Sequence, residues 1–271
     1  MMKQGLTLAC VASIALLLSA CGGGGGGGDS ADGNTGGGNT GGVGATCAGS
    51  STMTCAYGID ELMVNVSFSI SPDYDLEARA SFNSVAGALY PDSKERLEIH
   101  AGGKVYEGDI FSATQTTLFP QLPYGEQFYE VYWYRNDTQI ATTTVEYLTG
   151  PTLIIPPTHD GTDVVVMDWA AETYHTYDVD FISLTCQKPG LAGDIDRFDA
   201  SSERFEDVLP GLELPLATEF NTSLNALQTT YDTCSLTADI VGQNSRTKPE
   251  DQPRALSIHS YSITPYEIEL F

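Results

Sequence analysis

The sequence predicts an all-β protein, built as two tandem β-sandwiches behind an N-terminal leader and a flexible Gly-rich tether. Three observations predict it. Apolar and polar residues alternate with period two over many short runs. Turn-forming residues separate several of those runs. No stretch carries a convincing amphipathic helical pattern.

The first set of runs starts with Leu62, Val64, Val66, Phe68 and Ile70, which alternate with Met63, Asn65, Ser67 and Ser69. Leu76, Ala78, Ala80 and Phe82 then alternate with Glu77, Arg79, Ser81 and Asn83. Further strands are expected at Leu97–Ala101, Lys104–Ile110, Thr116–Phe119, Gln127–Arg135 and Gln139–Tyr147. Ser71-Pro72-Asp73, Gly102-Gly103 and Asn136-Asp137 supply the turns. About seven short strands in roughly a hundred residues is sandwich density. Thr149-Gly150-Pro151 punctuates the chain, and a second set follows. Its strands are expected at Leu153–Ile155, Asp163–Trp169, Thr176–Thr185, Leu214–Phe220, Ser235–Val241 and Leu256–Ile263, with Ile268–Phe271 ending the last. Ser201-Ser202-Glu203 opens one short turn before Pro210, inside a long connection from Gln187 to Pro215. The expected boundaries are 1–20 for a leader, 21–45 for the tether, 46–150 for the first sandwich and 151–271 for the second.

The leader sets the address. Lys3 is the one charge before a run from Leu6 to Ala20 that is apolar apart from small hydroxyl residues. That run is too short to span a bilayer core of ~30 Å as a helix, and it has signal-peptide length. Leu18-Ser19-Ala20-Cys21 follows, and then Gly22–Gly28. This stretch resembles the lipobox of a bacterial lipoprotein precursor. The resemblance implies cleavage before Cys21 and acylation of Cys21, palmitate included, with the lipid bilayer as partner. In that family an aspartate after the cysteine favours the inner membrane, so Gly22 implies the outer membrane. Burial of ~0.8 kcal/mol per CH₂ makes two or three acyl chains a stable anchor. Gly22–Ala45 has almost nothing to bury and so cannot offset the entropy of ordering. As a Gly-rich coil it spans roughly 25–30 Å.

Charge and cysteine usage narrow the partners. Asp and Glu number 36 against 12 Lys and Arg, a net charge of −24. Such a surface repels phosphate backbones, which excludes nucleic acid as a partner. Of the six cysteines, Cys10 leaves with the leader and Cys21 takes the lipid. Cys47, Cys55, Cys186 and Cys234 remain, an even number for an oxidising compartment. Three connectivities exist. Cys47–Cys55 with Cys186–Cys234 is preferred because each bridge then staples one domain.

The second half resembles a fibronectin type III or immunoglobulin-like domain. Pro151-Thr152-Leu153 is similar to an opening strand, and Val165, Met167 and Trp169 to the strand that ends in a core tryptophan. Tyr177, Val179 and Phe181 match the next strand, and Tyr231 before Cys234 resembles the corner tyrosine. In such folds Cys186 and Cys234 fall close together. Leu122-Pro123-Tyr124-Gly125-Glu126-Gln127-Phe128-Tyr129 is a similar fragment in the first half. The resemblance bears on architecture rather than activity.

Chemistry is harder to find. The chain has no Gly-x-Ser-x-Gly elbow, no His-Glu-x-x-His and no phosphate loop. His100, His159, His175 and His259 sit in no recognisable pairing, so no catalytic residue is assigned and no cofactor is expected. Asp194, Asp196, Asp199 and Glu203 crowd one segment with the oxygen-rich character that suits calcium. Their bland reading is a solvated acidic loop without EF-hand spacing. Phe128-Tyr129-Glu130-Val131-Tyr132-Trp133-Tyr134 is aromatic on both faces of a strand. Tyr129, Val131 and Trp133 are the more apolar set and belong in the core. That leaves Tyr132 and Tyr134 as the candidate ligand-binding pair. The expected function is a membrane-anchored, non-catalytic envelope lipoprotein that binds a protein or glycan or acts as a spacer. The alternative is a divergent envelope hydrolase.

Overall fold

Period-two alternation becomes strands because β-branched and aromatic residues pack well on a pleated surface with one dry face. The computed structural model describes residues 51–111, 116–190, 194–202, 204–248 and 253–271. The expected leader, Cys21, the expected Gly-rich tether, Cys47 and Glu203 lie outside the described residues. The first half carries β1 (Met63–Ile70), β2 (Leu76–Ser84), β3 (Gly87–Leu89), β4 (Glu95–Ala101), β5 (Lys104–Glu107), β6 (Asp109–Phe111), β7 (Thr116–Leu122), β8 (Tyr129–Arg135) and β9 (Thr138–Val145). The second carries β10 (Leu153–Ile154), β11 (Val164–Met167), β12 (Trp169–Ala170), β13 (His175–Gln187), β14 (Ile195–Asp199), β15 (Arg204–Phe205) and β16 (Leu212–Pro215). After them come helices α1 (Leu216–Glu219) and α2 (Leu224–Thr230), then β17 (Thr233–Asn244) and β18 (Leu256–Glu269). The fold is mostly β. No helix among the described residues is long and apolar enough to cross a membrane.

One long sheet runs β14-β13-β17-β18-β1-β2-β7-β6, with β15 beside β13 and β3 beside β2. A second sheet, β5-β4-β8-β9, contributes to the first core. That core gathers Val64, Val66 and Phe68 of β1 with Ile99, Val131 and Trp133 of the second sheet. The second core gathers Val179, Leu184, Leu236 and Ile240 of the long sheet. It is completed by Val165, Met167 and Leu214 of the β11–β16 pair, Trp169 of the β10–β12 pair, and α1 and α2.

Strand β18 belongs to both cores. Its first half runs parallel to β1, from Leu256 opposite Val64 to Ser262 opposite Ile70. Its second half runs antiparallel to β17, from Tyr261 opposite Gln243 to Glu269 opposite Ser235. Leu256 and Ile258 therefore enter the first core, while Tyr266, Ile268 and Leu270 enter the second.

The connection between the halves is tied to the middle of β18. Thr149 Oγ1 donates to Ser260 O at 2.9 Å and accepts from the Asn244 N–H at 2.9 Å. The Thr149 N–H donates to Ser260 Oγ at 2.9 Å. Thr247 Oγ1 donates to Tyr147 O at 2.6 Å and lies 2.5 Å from Ser260 Oγ. Thr152 Oγ1 and Ser262 Oγ are 3.1 Å apart. These hydroxyls are buried, and partnering them avoids the desolvation cost of an orphaned polar group. Gly242 sits against this seam because a Cβ there would lie 3.0 Å from both Ser262 Oγ and Thr152 Oγ1.

The structure corrects several expectations. Lys104–Ile110 divides into β5 and β6, and Asp163–Trp169 into β11 and β12, with the members of each pair in different sheets. Leu214–Phe220 is not one strand: β16 stops at Pro215, and α1 follows. Pro215 supplies the extended residue before the helix, and Leu216 buries its side chain in the second core. The expected absence of an amphipathic helix also fails, because α2 forms. Ser223 caps it by accepting the Ala226 N–H at 3.2 Å, and Leu224 and Leu227 share its buried face. The long connection from Gln187 holds β14, β15 and β16.

Cys186 and Cys234 are bonded, and they are directly opposed residues of β13 and β17 in the second core. Cys55 is also disulfide-bonded. The expected partner, Cys47, lies outside the described residues. The Cys186–Cys234 bridge closes a sequence separation of 48 residues. The chain-entropy model then gives it up to about 4 kcal/mol. Selective loss of this bridge, as in Cys186→Ala/Cys234→Ala, is expected to lower the unfolding midpoint in urea by a corresponding amount. An unchanged midpoint would show that paired β13 and β17 already hold the second core without it.

Candidate functional site

Strand β8 separates its aromatic residues as the alternation requires. Tyr129, Val131 and Trp133 are buried, and Tyr132 and Tyr134 lie on the outer face of the β5-β4-β8-β9 sheet, half-buried. A buried ion pair fixes the strand from beneath. Glu95 accepts from Trp133 Nε1 at 2.6 Å and from Arg135 Nε at 2.7 Å. Arg135 also donates to Tyr57 O and Thr54 O at 3.0 Å each, so every charge on this inner edge is satisfied by several partners.

On the outer face the rings form a ladder across two strands. His100 of β4 lies 4.4 Å from Tyr132 between ring centroids, and Tyr132 lies 6.2 Å from Tyr134 at an interplanar angle of 17°. Arg96 places its guanidinium 4.2 Å from the Tyr134 ring centroid. Glu98, buried between them, accepts from His100 Nε2 at 2.9 Å and pairs with Arg96. The two tyrosines thus face outward, as their sequence pattern implies. Their ring faces, however, are largely taken up by neighbours in the ladder. What they offer outward is ring edge and phenol hydroxyl. Burial, then the Glu130 carboxylate, pushes the Tyr132 hydroxyl above its ordinary pKa.

The ladder borders an open cleft of about 880 Å³. One part of its lining is Glu130, Tyr132, Thr142, Thr143, Thr144, Glu146 and Tyr147, from β8, β9 and the start of the connection. The other is the turn Ser245-Arg246-Thr247-Lys248. The Thr247–Tyr147 hydrogen bond joins the two parts. Arg246 stacks its guanidinium 3.7 Å from the Tyr147 ring centroid and 5.0 Å from that of Tyr174. Neither Arg246 nor Lys248 forms an ion pair among the described residues. The cleft thus gathers two cations, two carboxylates, several hydroxyls and an aromatic edge. That mix suits recognition of a polar ligand by hydrogen bonds and charge. It offers no nucleophile–base pair. Sequence alone missed this turn because Arg246 and Lys248 meet β9 only through the long-range pairing of β17 and β18.

Three of the calcium candidates, Asp194, Asp196 and Asp199, are engaged in ion pairs, and the fourth, Glu203, lies outside the described residues. Lys188 Nζ lies 2.9 Å from Asp196 and 3.5 Å from Asp194, and Arg197 lies 3.0 Å from Asp199. Asp196 also accepts from the Tyr231 hydroxyl at 2.8 Å, and its lysine partner holds its pKa below the usual carboxylate range. Among the described residues no group of three or more His, Cys, Asp or Glu is arranged to hold a metal ion. The histidines do not converge either. His100 belongs to the ladder, His159 meets Thr162 O at 3.0 Å, His175 stacks on Tyr177, and His259 sits on β18.

A second charged cluster was not anticipated. Asp180 of β13 directly opposes Asp239 of β17, a like-charge cross-strand pair. Arg204 of β15 reaches Asp178, lies 3.3 Å from Asp180 and lies 3.6 Å from Glu206. Burial raises the pKa of both Asp180 and Asp239; at Asp180 the Arg204 charge offsets part of the effect while Asp178 and Glu206 add to it, and at Asp239 the Asp180 charge adds to it. A carboxyl whose folded pKa is raised favours the protonated fold. Its contribution is full below the unfolded pKa and is lost as pH rises through the folded one. Asp239→Asn is therefore expected to stabilise the protein at neutral pH, with a benefit that shrinks as pH falls through the carboxylate range. Solvent still screens a half-buried group, so the gain is at most about 1 kcal/mol, roughly 2–4 °C in Tm. Thermal melts of both proteins at several pH values check it; a variant less stable at neutral pH would mean that Asp239 makes a net favourable contact.

The sequence matches no protein-family model, and no curated protein shows significant similarity to it.

Proposed function

We propose that this protein is a lipid-anchored, non-catalytic binding module of the bacterial envelope, which takes a partner protein or glycan in the cleft between β9 and the Ser245–Lys248 turn. The observation that carries the reading is the cleft itself: an open polar recess of about 880 Å³ where Tyr132, a row of threonines and two cations converge. A recess with convergent polar groups and no catalytic constellation is what a recognition surface requires. The lipobox resemblance around Cys21 supplies the anchor and the outer membrane as its address, and Gly22–Ala45 the tether. An immunoglobulin-like first half is supported by its strand order, β1-β2-β7 in one sheet and β5-β4-β8-β9 in the other. The second half follows that pattern less closely, since short strand pairs and helices cover its sheet.

Anchoring is tested by metabolic labelling with a fatty acid. Cys21→Ser is expected to lose the label and to release the body or leave it uncleaved. Equal label in both proteins would remove the anchor from this reading.

The cleft is tested through the ladder that borders it. Tyr132→Ala/Tyr134→Ala is expected to weaken capture on a panel of envelope glycans and envelope proteins. Each lost hydrogen bond from a phenol hydroxyl costs about 0.5–1.5 kcal/mol. Unimpaired capture would separate binding from this face. A stability loss of several kcal/mol, measured by urea unfolding, would make the pair structural instead.

A further inference from the structure

The β5-β4-β8-β9 sheet carries a second recess, of about 420 Å³, beside the cleft. His100, Val105, Glu126, Phe128 and Glu130 line it, and Glu130 also lines the cleft. Strand register joins the two recesses by one row of residues. Val105 of β5 lies opposite His100 of β4, His100 opposite Glu130 of β8, and Glu130 opposite Thr144 of β9. Alternate residues of a strand share a face, so this row lies on the same side of the sheet as Tyr132 and Tyr134. At ~4.8 Å between neighbouring strands, the row crosses roughly 14 Å. Its far end is apolar and open, with Val105 56% exposed and Phe128 47% exposed. The Gly102-Gly103 turn also lines the second recess, with φ of 56° and 74°. A Cβ on Gly102 would fall 2.6 Å from Glu126 Oε1, so glycine there leaves room for that carboxylate.

We propose that this row is the track of a neutral, linear polysaccharide, which runs across the strands from the cleft into the recess at Phe128. The proposal rests on the reading of the cleft as the binding site; it names the ligand class and adds a second subsite. Charge argues for a neutral ligand. The cleft lining sets Glu130 and Glu146 against Arg246 and Lys248, and the second recess sets Glu126 and Glu130 against Lys104. Neither lining selects strongly for charge, and a net charge of −24 repels an acidic chain. The backbone argues against a peptide. Strands β4 and β8 are interior, with their main-chain groups paired on both sides, so a ligand that crosses them meets side chains only. What those side chains offer fits a polyhydroxylated chain. Glu130 presents carboxylate oxygens to hydroxyl donors, Thr142 and Thr144 can donate or accept, and Phe128 supplies an apolar ring for the C–H face of a pyranose. Apolar walls with a few convergent polar groups are what orient a ligand in a recess. The length of the row calls for several sugar units rather than one.

The test titrates the full chain with neutral oligosaccharides of glucose, xylose, mannose and N-acetylglucosamine. Each is supplied as the single sugar and as chains of increasing length, with uronic-acid chains as the acidic comparison. Affinity for at least one neutral series is expected to rise by about tenfold or more from the single sugar to a chain that spans the row, and to change little with added salt. Phe128→Ala is expected to remove that gain and to leave short chains bound as before, because Phe128 lines the second recess and not the cleft. Its exposed side chain makes an unchanged urea midpoint the control for folding. Glu130→Gln, nearly isosteric, is expected to weaken short and long chains alike, because Glu130 lines both recesses. Equal affinity for single sugars and chains, or a Phe128→Ala variant that keeps the gain, would overturn the track. Tighter, salt-sensitive binding of the uronic-acid chains would overturn the neutral ligand. If no saccharide binds but envelope proteins are captured in a Tyr132-dependent way, the polysaccharide proposal fails and the cleft stands as a protein site. If neither class binds, the reading of the cleft itself fails.

Discussion

The structure depends on a single long strand shared by two cores. Strand β18 pairs in parallel with β1 through one half of its length and antiparallel with β17 through the other. The inward residues of its two ends enter different cores. A parallel neighbour cannot be reached by a tight turn, so β1 must wait for almost the whole chain before its partner arrives. The two halves are consequently coupled by backbone hydrogen bonds, not merely joined by a linker. Such long-range pairing carries a large loop-closure cost and makes late assembly of the first core the expected order of folding.

The seam at the middle of β18 shows how that coupling is made specific. Apolar contacts alone would tolerate sliding of one core against the other. Thr149, Thr247 and Ser260 instead form a closed set of hydroxyl and amide bonds with directional demands. A buried polar set of this kind is stabilising only when every member is satisfied, so displacement by one residue would be costly. The same set holds the Tyr147–Thr152 connection and the Ser245–Lys248 turn in place. The cleft is therefore a consequence of the seam, since its two lining parts are brought together by the pairing of β17 and β18.

Much of the fold was legible from alternation. The strands of the first half follow the pattern closely because each has one dry and one wet face. In β8 the more apolar set, Tyr129, Val131 and Trp133, went inward as its composition required. The second half was less legible. Strand β13 buries residues on both faces in its middle, including Asp178 and Ser183, so strict alternation breaks down. Helix α2 is short, and its signal consists of one capping serine and two leucines, too little to outweigh a β-rich context. The change from β16 to α1 turns on a proline that both elements tolerate.

The amino-acid sequence by itself determined the β class, the acidic balance of charge and which residues of the first-half strands face inward. All of these are set by local composition and by the period of the chain. Tertiary structure decided the rest: that the last strand closes both cores, that Cys186 faces Cys234, and that Arg246 and Lys248 come to lie beside β9. The physical reason is that strand pairing is a relation between distant segments. Alternation says which way a side chain points, but which strand lies next to which is fixed only when the hydrogen bonds of every edge and the hydroxyls of the seam are satisfied together.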